Sequence, residues 1–281
     1  MSANLNGNSK LLDVTKDMKK TNVRRFNLGG MPELWLSILL GIVVLVAWQF
    51  IPVLAGVPSY IIPTPLECAT EMVVLYQQAN LLANIWSTLF ISIIGFIIGS
   101  IFGAACGYLL GLSRTAERVL SPYLLAIQIA PKIAFAPLFL LWFGYNDIPK
   151  LLVTVLLVFF PILVNALQSM RTIDRDLVNL ARAYSMSRMQ IFWKIEFRSS
   201  VPNLMAGLRI GATLAIIGVT VGEMVGGNVG LGYLVTYGEG QADTAMVFDA
   251  IILLSLIGIL LYFAVAMVEA RVLRYIPQVK R

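Results

Sequence analysis

Histidine is absent from all 281 residues, cysteine occurs twice, and charged side chains make up only 13% of the chain. The missing histidine removes the chemistry of H-E-x-x-H zinc proteases, whose histidines hold the metal, and of rhomboid-like serine proteases, which need one as base. An aspartyl mechanism needs two facing carboxylates at membrane depth, and Asp249, near the end of an apolar run, has no evident partner. No G-x-x-x-x-G-K-[ST] phosphate loop is present, so a nucleotide site of that kind is excluded. No set of residues is spaced as metal ligands would be. Cys68 lies in the connection before the second apolar run and Cys106 in the far half of that run, which argues against a disulfide between them. A soluble domain carries charge on about a quarter of its residues, so the low charge is itself a sign of class.

What fills the space is hydrophobic: 58% of the residues. Six apolar runs are long enough to span a bilayer, at about 34–54, 84–112, 120–143, 150–170, 203–225 and 247–268. None reads as a cleaved signal peptide, because the first is long and is preceded by a polar segment reaching Gly30. The second run carries Gly95, Gly99, Gly103, Gly107 and Gly111 at four-residue spacing. In water each glycine would cost about 1 kcal/mol of helix stability against alanine. In lipid the same row, about 24 Å long, is a smooth face for close helix packing. The row does not reveal whether it faces the same chain or a second copy.

Lysine and arginine set the expected orientation. The tail carries Lys10, Lys16, Lys19, Lys20, Arg24 and Arg25, and the second connection has Arg114 and Arg118. The fourth has Arg171, Arg175, Arg182, Arg188, Lys194 and Arg198, and the C-terminus has Arg271, Arg274, Lys280 and Arg281, whereas the remaining three connections hold only Lys150. The positive-inside rule therefore puts both termini in the cytoplasm and Glu67, Tyr145 and Glu239 outside. The net charge of +6 is a topology signal and gives no ground for nucleic-acid binding. Residues 1–30 read as a flexible, basic cytoplasmic tail and 31–275 as one transmembrane domain.

Local signals refine this. Thr64, Pro65 and Glu67 form a helix start with a capping box, predicting an outer interfacial helix to about Gln77. Pro131 and Pro137 flank Lys132-Ile-Ala-Phe-Ala136 and are expected to break the third span, which is tolerated only where protein or water satisfies the backbone. Lys132 at that depth has two readings: a lysine that snorkels or pairs with a carboxylate, or a charge on the translocation path. Glu223 either tethers the outer loop or lines an outer vestibule. Asn165 and Gln168 are expected to bond between helices, and Arg209 to snorkel to headgroups. The fourth connection, 171–202, carries Leu177, Leu180, Ala181 and Tyr184 at helical spacing, then Met189, Phe192 and Trp193 beyond a break near Ser185. Two short amphipathic helices there would meet either a cytoplasmic partner or anionic lipid.

That connection resembles the signature E-A-A-x(3)-G-x(9)-I-x-L-P of membrane-spanning subunits of binding-protein-dependent ABC importers, with Ala181 and Ile195 matching outright. More specific are Tyr60-Ile-Ile-Pro-Thr-Pro65, Ala130-Pro-Lys-Ile-Ala-Phe-Ala-Pro-Leu-Phe-Leu-Leu-Trp-Phe-Gly144, Phe159-Phe-Pro-Ile-Leu-Val-Asn165, Met186-Ser-Arg-Met-Gln-Ile-Phe192, Gly207-Leu-Arg209 and Gly222-Glu-Met-Val-Gly-Gly-Asn-Val-Gly-Leu-Gly-Tyr233. These are similar to permeases for nitrate, taurine, aliphatic sulfonates and vitamin precursors such as hydroxymethylpyrimidine or riboflavin. The resemblance implies an all-α, six-helix type I ABC importer transmembrane domain in a bacterial inner membrane. It implies two permease copies, a solute-binding protein outside, and separate ABC ATPase subunits that use the ATP, this chain binding no cofactor and being no enzyme.

It also implies that Asn179, Ala181, Arg182, Ala183, Tyr184, Ser185 and Ser187 form the coupling element, and that Lys132, Pro131, Pro137 and Glu223 belong to the path. Asn179 stands where the signature has glutamate, Arg198 where it has proline, and Ser185 where it has glycine, at a cost of about 1 kcal/mol if the turn is left-handed. A secondary transporter is the main alternative, but such folds usually break corresponding helices in two halves and only one span here is clearly broken. A non-transporting membrane anchor is the other.

Overall fold

A computed structural model describes residues 33–275, which are helical almost throughout and contain no strand. The expected tail, 1–30, lies outside the described residues. In chain order the helices are α1 (Glu33–Leu54), α2 (Pro65–Gln78), α3 (Leu81–Gly111), α4 (Arg114–Ile129), a 3-10 turn (Lys132–Phe135), α5 (Ala136–Phe143), α6 (Asp147–Arg171), α7 (Arg175–Ala183), α8 (Arg188–Ile191), a π-turn (Phe192–Glu196), α9 (Phe197–Gly226), α10 (Leu231–Gly240) and α11 (Thr244–Val272). The chain divides into two units, 1–51 and 52–281. Described residues of the first belong to α1, an apolar helix long enough to cross a membrane whose last three residues fall in the second unit.

The second unit is organised around α6. Its residues Thr154, Val158, Ile162, Ala166 and Met170 recur every four positions and meet the glycine row of α3 in parallel register, Gly99 on Val158, Gly107 on Ala166 and Gly111 on Met170. A β-carbon on Gly103 would stand 2.6 Å from the Phe159 carbonyl oxygen, and one on Gly107 2.5 Å from that of Leu163. Backbone therefore lies where a side chain would have to go, so the row faces its own chain. A second glycine series closes on α6 from α9, running antiparallel: Gly207 on Asn165, Gly211 on Ile162, Gly218 on Thr154 and Gly222 on Lys150. Thr154 is thus held between Gly95 and Gly218.

Around this layer, Leu75 of α2, Ile216 of α9, Leu231 and Leu234 of α10 and Ala250, Leu254 and Ile257 of α11 make one buried apolar cluster. The outer helix forms as expected: Thr64 Oγ1 accepts from Glu67 N–H at 3.3 Å and Glu67 Oε2 accepts from Thr64 N–H at 2.7 Å. Its Cys68 is buried, a setting that with Asp249 nearby pushes the thiol up to about 11.

Five helices are long and apolar enough to span, and a sixth span results if α4 and the segment 132–143 count together across their 77° bend. The third run differs from expectation at Pro137. Pro131 does separate α4 from the 3-10 turn, but Pro137 occupies the first turn of α5, where its missing N–H has no helical partner to lose. Asn165 Nδ2 donates to the Pro161 carbonyl of its own helix at 2.8 Å, so the bond is within α6. Arg209 does not simply snorkel; its Nε donates to Glu269 of α11, with the Tyr262 ring beside it.

Candidate functional site

At the end of the bundle where α3 and α6 terminate, α7 stands apart as a nine-residue amphipathic helix. Asp174 caps it by accepting from Asp176 N–H at 2.8 Å. It ends in a Schellman motif: Met186 N–H donates to the Ala181 carbonyl at 3.1 Å and Ser185 N–H to that of Arg182 at 2.9 Å. Ser185 sits at the left-handed position of that motif, φ 55°, the place glycine occupies most cheaply. The chain re-enters a helix at once through a second reciprocal cap, Ser187 Oγ accepting from Gln190 N–H at 3.3 Å and Gln190 Oε1 accepting from Ser187 N–H at 2.9 Å. The turn 184–187 is therefore fixed by backbone hydrogen bonds on one side and by a reciprocal side-chain cap on the other.

Of the apolar residues on this stretch, only Ala181 and Ile191 are buried. Leu177, Leu180, Met189 and Trp193 are exposed, and Tyr184, at the apex, is 76% exposed. The second amphipathic segment is not a separate helix as expected: α8, the π-turn and α9 run on without interruption from Arg188 to Gly226, through Pro202. A local π-turn is one of the adjustments by which membrane helices carry a proline. Phe192 and Phe197 pack on Tyr108 of α3, whose hydroxyl shares a hydrogen bond with Ser200. The start of the long helix that follows the turn is thus packed on the first glycine helix.

Lys132 is only partly buried. Its Nζ donates to the Gln128 carbonyl at 2.6 Å, the last turn of the helix that Pro131 breaks, and lies 4.9 Å from the centre of the Phe160 ring. Ion pairs among the described residues do not include Lys132, which removes the carboxylate pairing.

Glu223 is placed differently from a path residue. Its side chain is fully buried, and its oxygens accept from Thr88 Oγ1 at 2.9 Å and from Gly232 N–H at 2.9 Å. Thr88 Oγ1 accepts in turn from Leu231 N–H at 2.8 Å, and Asn84 Oδ1 accepts from Gly230 N–H at 2.7 Å. The glutamate tethers the start of α10 to α3 and does not line a vestibule. Nearby Lys150, also buried, donates to Asp147 at 3.0 Å. Among the described residues no group of Cys, Asp and Glu side chains converges as a metal site would.

Residues 95–274 match the family described as the inner membrane component of binding-protein-dependent transport systems. The chain belongs to this family. The permease is 35% identical to the formylaminopyrimidine transport permease ThiX of Halalkalibacterium halodurans over 81% of its own length and 90% of the relative's. It is 37% identical to the riboflavin transport system permease RibX of Chloroflexus aurantiacus, over 87% and 91%. To the putative aliphatic sulfonates transport permease SsuC of Bacillus subtilis it is 29% identical, over 86% and 88%. The fold matches that in the inward-facing MetNI methionine ABC transporter, with TM-score 0.59 and 21% identity over 68% of this chain and 95% of that one. The permease accordingly has the transmembrane-domain fold of type I ABC importers, and it is a multi-pass membrane protein.

Sequence reasoning missed the polar knot of Glu223, Thr88 and Asn84, because Glu223 lies 135 residues from Thr88 and Gly230 lies 146 from Asn84. It also passed over the Ser187-x-x-Gln190 capping box, which is legible as a pattern.

Proposed function

We propose that this permease subunit docks an ABC ATPase through the turn between α7 and α8 and, paired with a second copy, imports a small solute delivered by an external binding protein. The observation that carries the reading is the pairing of a rigid turn with an exposed apolar apex, Leu180, Tyr184 and Met189. A single apolar side chain at a surface needs no explanation, but several held on one doubly capped turn suit insertion into a cleft. Asn179, Ala181, Arg182, Ala183, Ser185 and Ser187 shape and flank that apex. The ATP is used by the partner, and this chain binds no cofactor.

The end bearing α7 is taken as cytoplasmic, with both termini there, in a bacterial inner membrane. Arg114, Arg118, Arg171, Arg182, Arg188 and Lys194 gather at that end, while Glu67, Glu71, Asp147, Glu239 and Asp243 belong to the other. Lys132, with Pro131 and Pro137 setting the break around it, borders the path. The solute is taken to be heteroaromatic, a pyrimidine vitamin precursor or riboflavin, since the relatives at 35% and 37% identity carry the names of such solutes; nitrate, taurine or a sulfonate is the second reading, the sulfonate permeases standing at 29% and 31%.

Replacing Tyr184 with Asp tests the docking. A charge forced into that contact without a partner should cost several kcal/mol, so ATPase recruitment and transport fall together while the permease still inserts. Normal recruitment and transport would make the turn a lipid-facing element.

A further inference from the structure

Between α7 and the adjacent ends of α3, α4 and α6 lies an open recess of about 630 Å³. Arg114 and Arg118 reach it from α4, Arg171 from the end of α6 and Arg182 from α7, with Leu112 and Met170 as apolar lining. Two carboxylates share the recess, Glu117 and Glu196, and Glu117 is already paired with Arg171. Among the described residues Arg114, Arg118 and Arg182 make no ion pair, so the recess keeps an excess of guanidinium charge. Guanidinium groups offer paired N–H donors that match phosphate oxygens in the plane. The recess begins directly after Gly111, the last residue of a membrane-length apolar helix, which sets it at the depth of lipid headgroups.

We propose that this recess binds a phosphate group, carried by the headgroup of an anionic phospholipid or by a small soluble phosphate, and that occupancy sets how α7 stands against the bundle. The proposal rests on the cytoplasmic assignment of this end but not on ATPase docking. A phosphate here bridges Arg182 of α7 to arginines of α4, adding a polar tie across the recess to the packing of the buried Ala181. Apolar Leu112 and Met170 suit the glycerol and upper acyl carbons of a lipid, a feature a soluble phosphate would leave unused.

The test is native mass spectrometry of the full chain released from micelles doped with phosphatidylglycerol or phosphatidylcholine, repeated with inorganic phosphate as competitor. Wild type is expected to retain phosphatidylglycerol preferentially, and Arg114→Gln/Arg118→Gln to lose that preference about thirtyfold, which corresponds to about 1 kcal/mol for each arginine at the headgroup level. Arg114→Lys/Arg118→Lys, which keeps the charge but not the paired donors, should lose less of it than the glutamine pair, which separates charge from folding, and Arg118→Gln alone, at an exposed position, gives a milder variant if the double one misfolds. Preference for inorganic phosphate over either lipid, lost in the same variants, identifies the soluble source. Equal retention of both lipids with no phosphate bound, or a preference unchanged in the glutamine variants, overturns the proposal.

Discussion

A β-carbon added to Gly218 would stand 2.7 Å from the Cα of Thr154, and the other side of the same threonine is closed by Gly95. α6 is therefore clamped between two glycine faces of its own chain, and this clamp positions everything at either end: the α7 turn at one, the Glu223 knot at the other. Glycine is costly in helices, yet here it lets backbone approach backbone where lipid offers no hydrophobic drive.

Gly103→Ala should destabilise the folded permease by about 1–3 kcal/mol, since the new methyl meets the Phe159 carbonyl, which cannot rotate away. Gly258→Ala is the control: its β-carbon would touch only Ile216 at 3.5 Å, and the change should be neutral or stabilise the helix by up to about 1 kcal/mol. Thermal unfolding of the two variants in the same detergent checks the contrast.

The glycine row of α3 is legible in the sequence because its spacing is unbroken. Its complement on α9 is hidden by the seven-residue step from Gly211 to Gly218, and the receiving ridge on α6 contains no glycine at all. What a row faces is a property of two helices, so one sequence pattern shows the face and not the partner. Proline is informative only with its position: Pro131 breaks a helix, Pro137 begins one, and Pro202 lies inside one. The α7–α8 turn is readable as a break near Ser185 and, on its far side, in the Ser187-x-x-Gln190 pattern, whereas the bonds that close its near side join backbone groups that no residue type announces.

Ser185→Gly should stabilise the α7–α8 turn by about 1 kcal/mol, because serine is held there at φ 55°. Ser185→Val, β-branched in the same left-handed backbone, should loosen it. Hydrogen exchange of the Ser185 and Met186 amides reads both changes, protection rising in the first variant and falling in the second.

Burial, with Asp243 next in effect, holds the Glu71 carboxyl above its ordinary 4.5. The folded protein then binds this proton more tightly than the unfolded chain, so Glu71 makes stability fall as pH rises from 4.5 through the raised value, and above it the loss is constant. Unfolding midpoints measured from pH 4.5 to neutrality should show that slope in wild type and a shallower one in Glu71→Gln.

Lys132→Met should fold and assemble normally, since the lysine has a carbonyl and an aromatic ring for company and no carboxylate to strand. Transport should be strongly reduced if its charge borders the path. Uptake at the wild-type rate would make it a hydrated bystander.

The most direct measurement of the central claim is ATP hydrolysis by the permease co-reconstituted in proteoliposomes with its ATPase subunits, with solute-loaded binding protein supplied on the face opposite α7. Hydrolysis should rise with that binding protein, and solute should move toward the α7 side only when ATP is present. Hydrolysis indifferent to the binding protein, or solute movement without ATP, would contradict it.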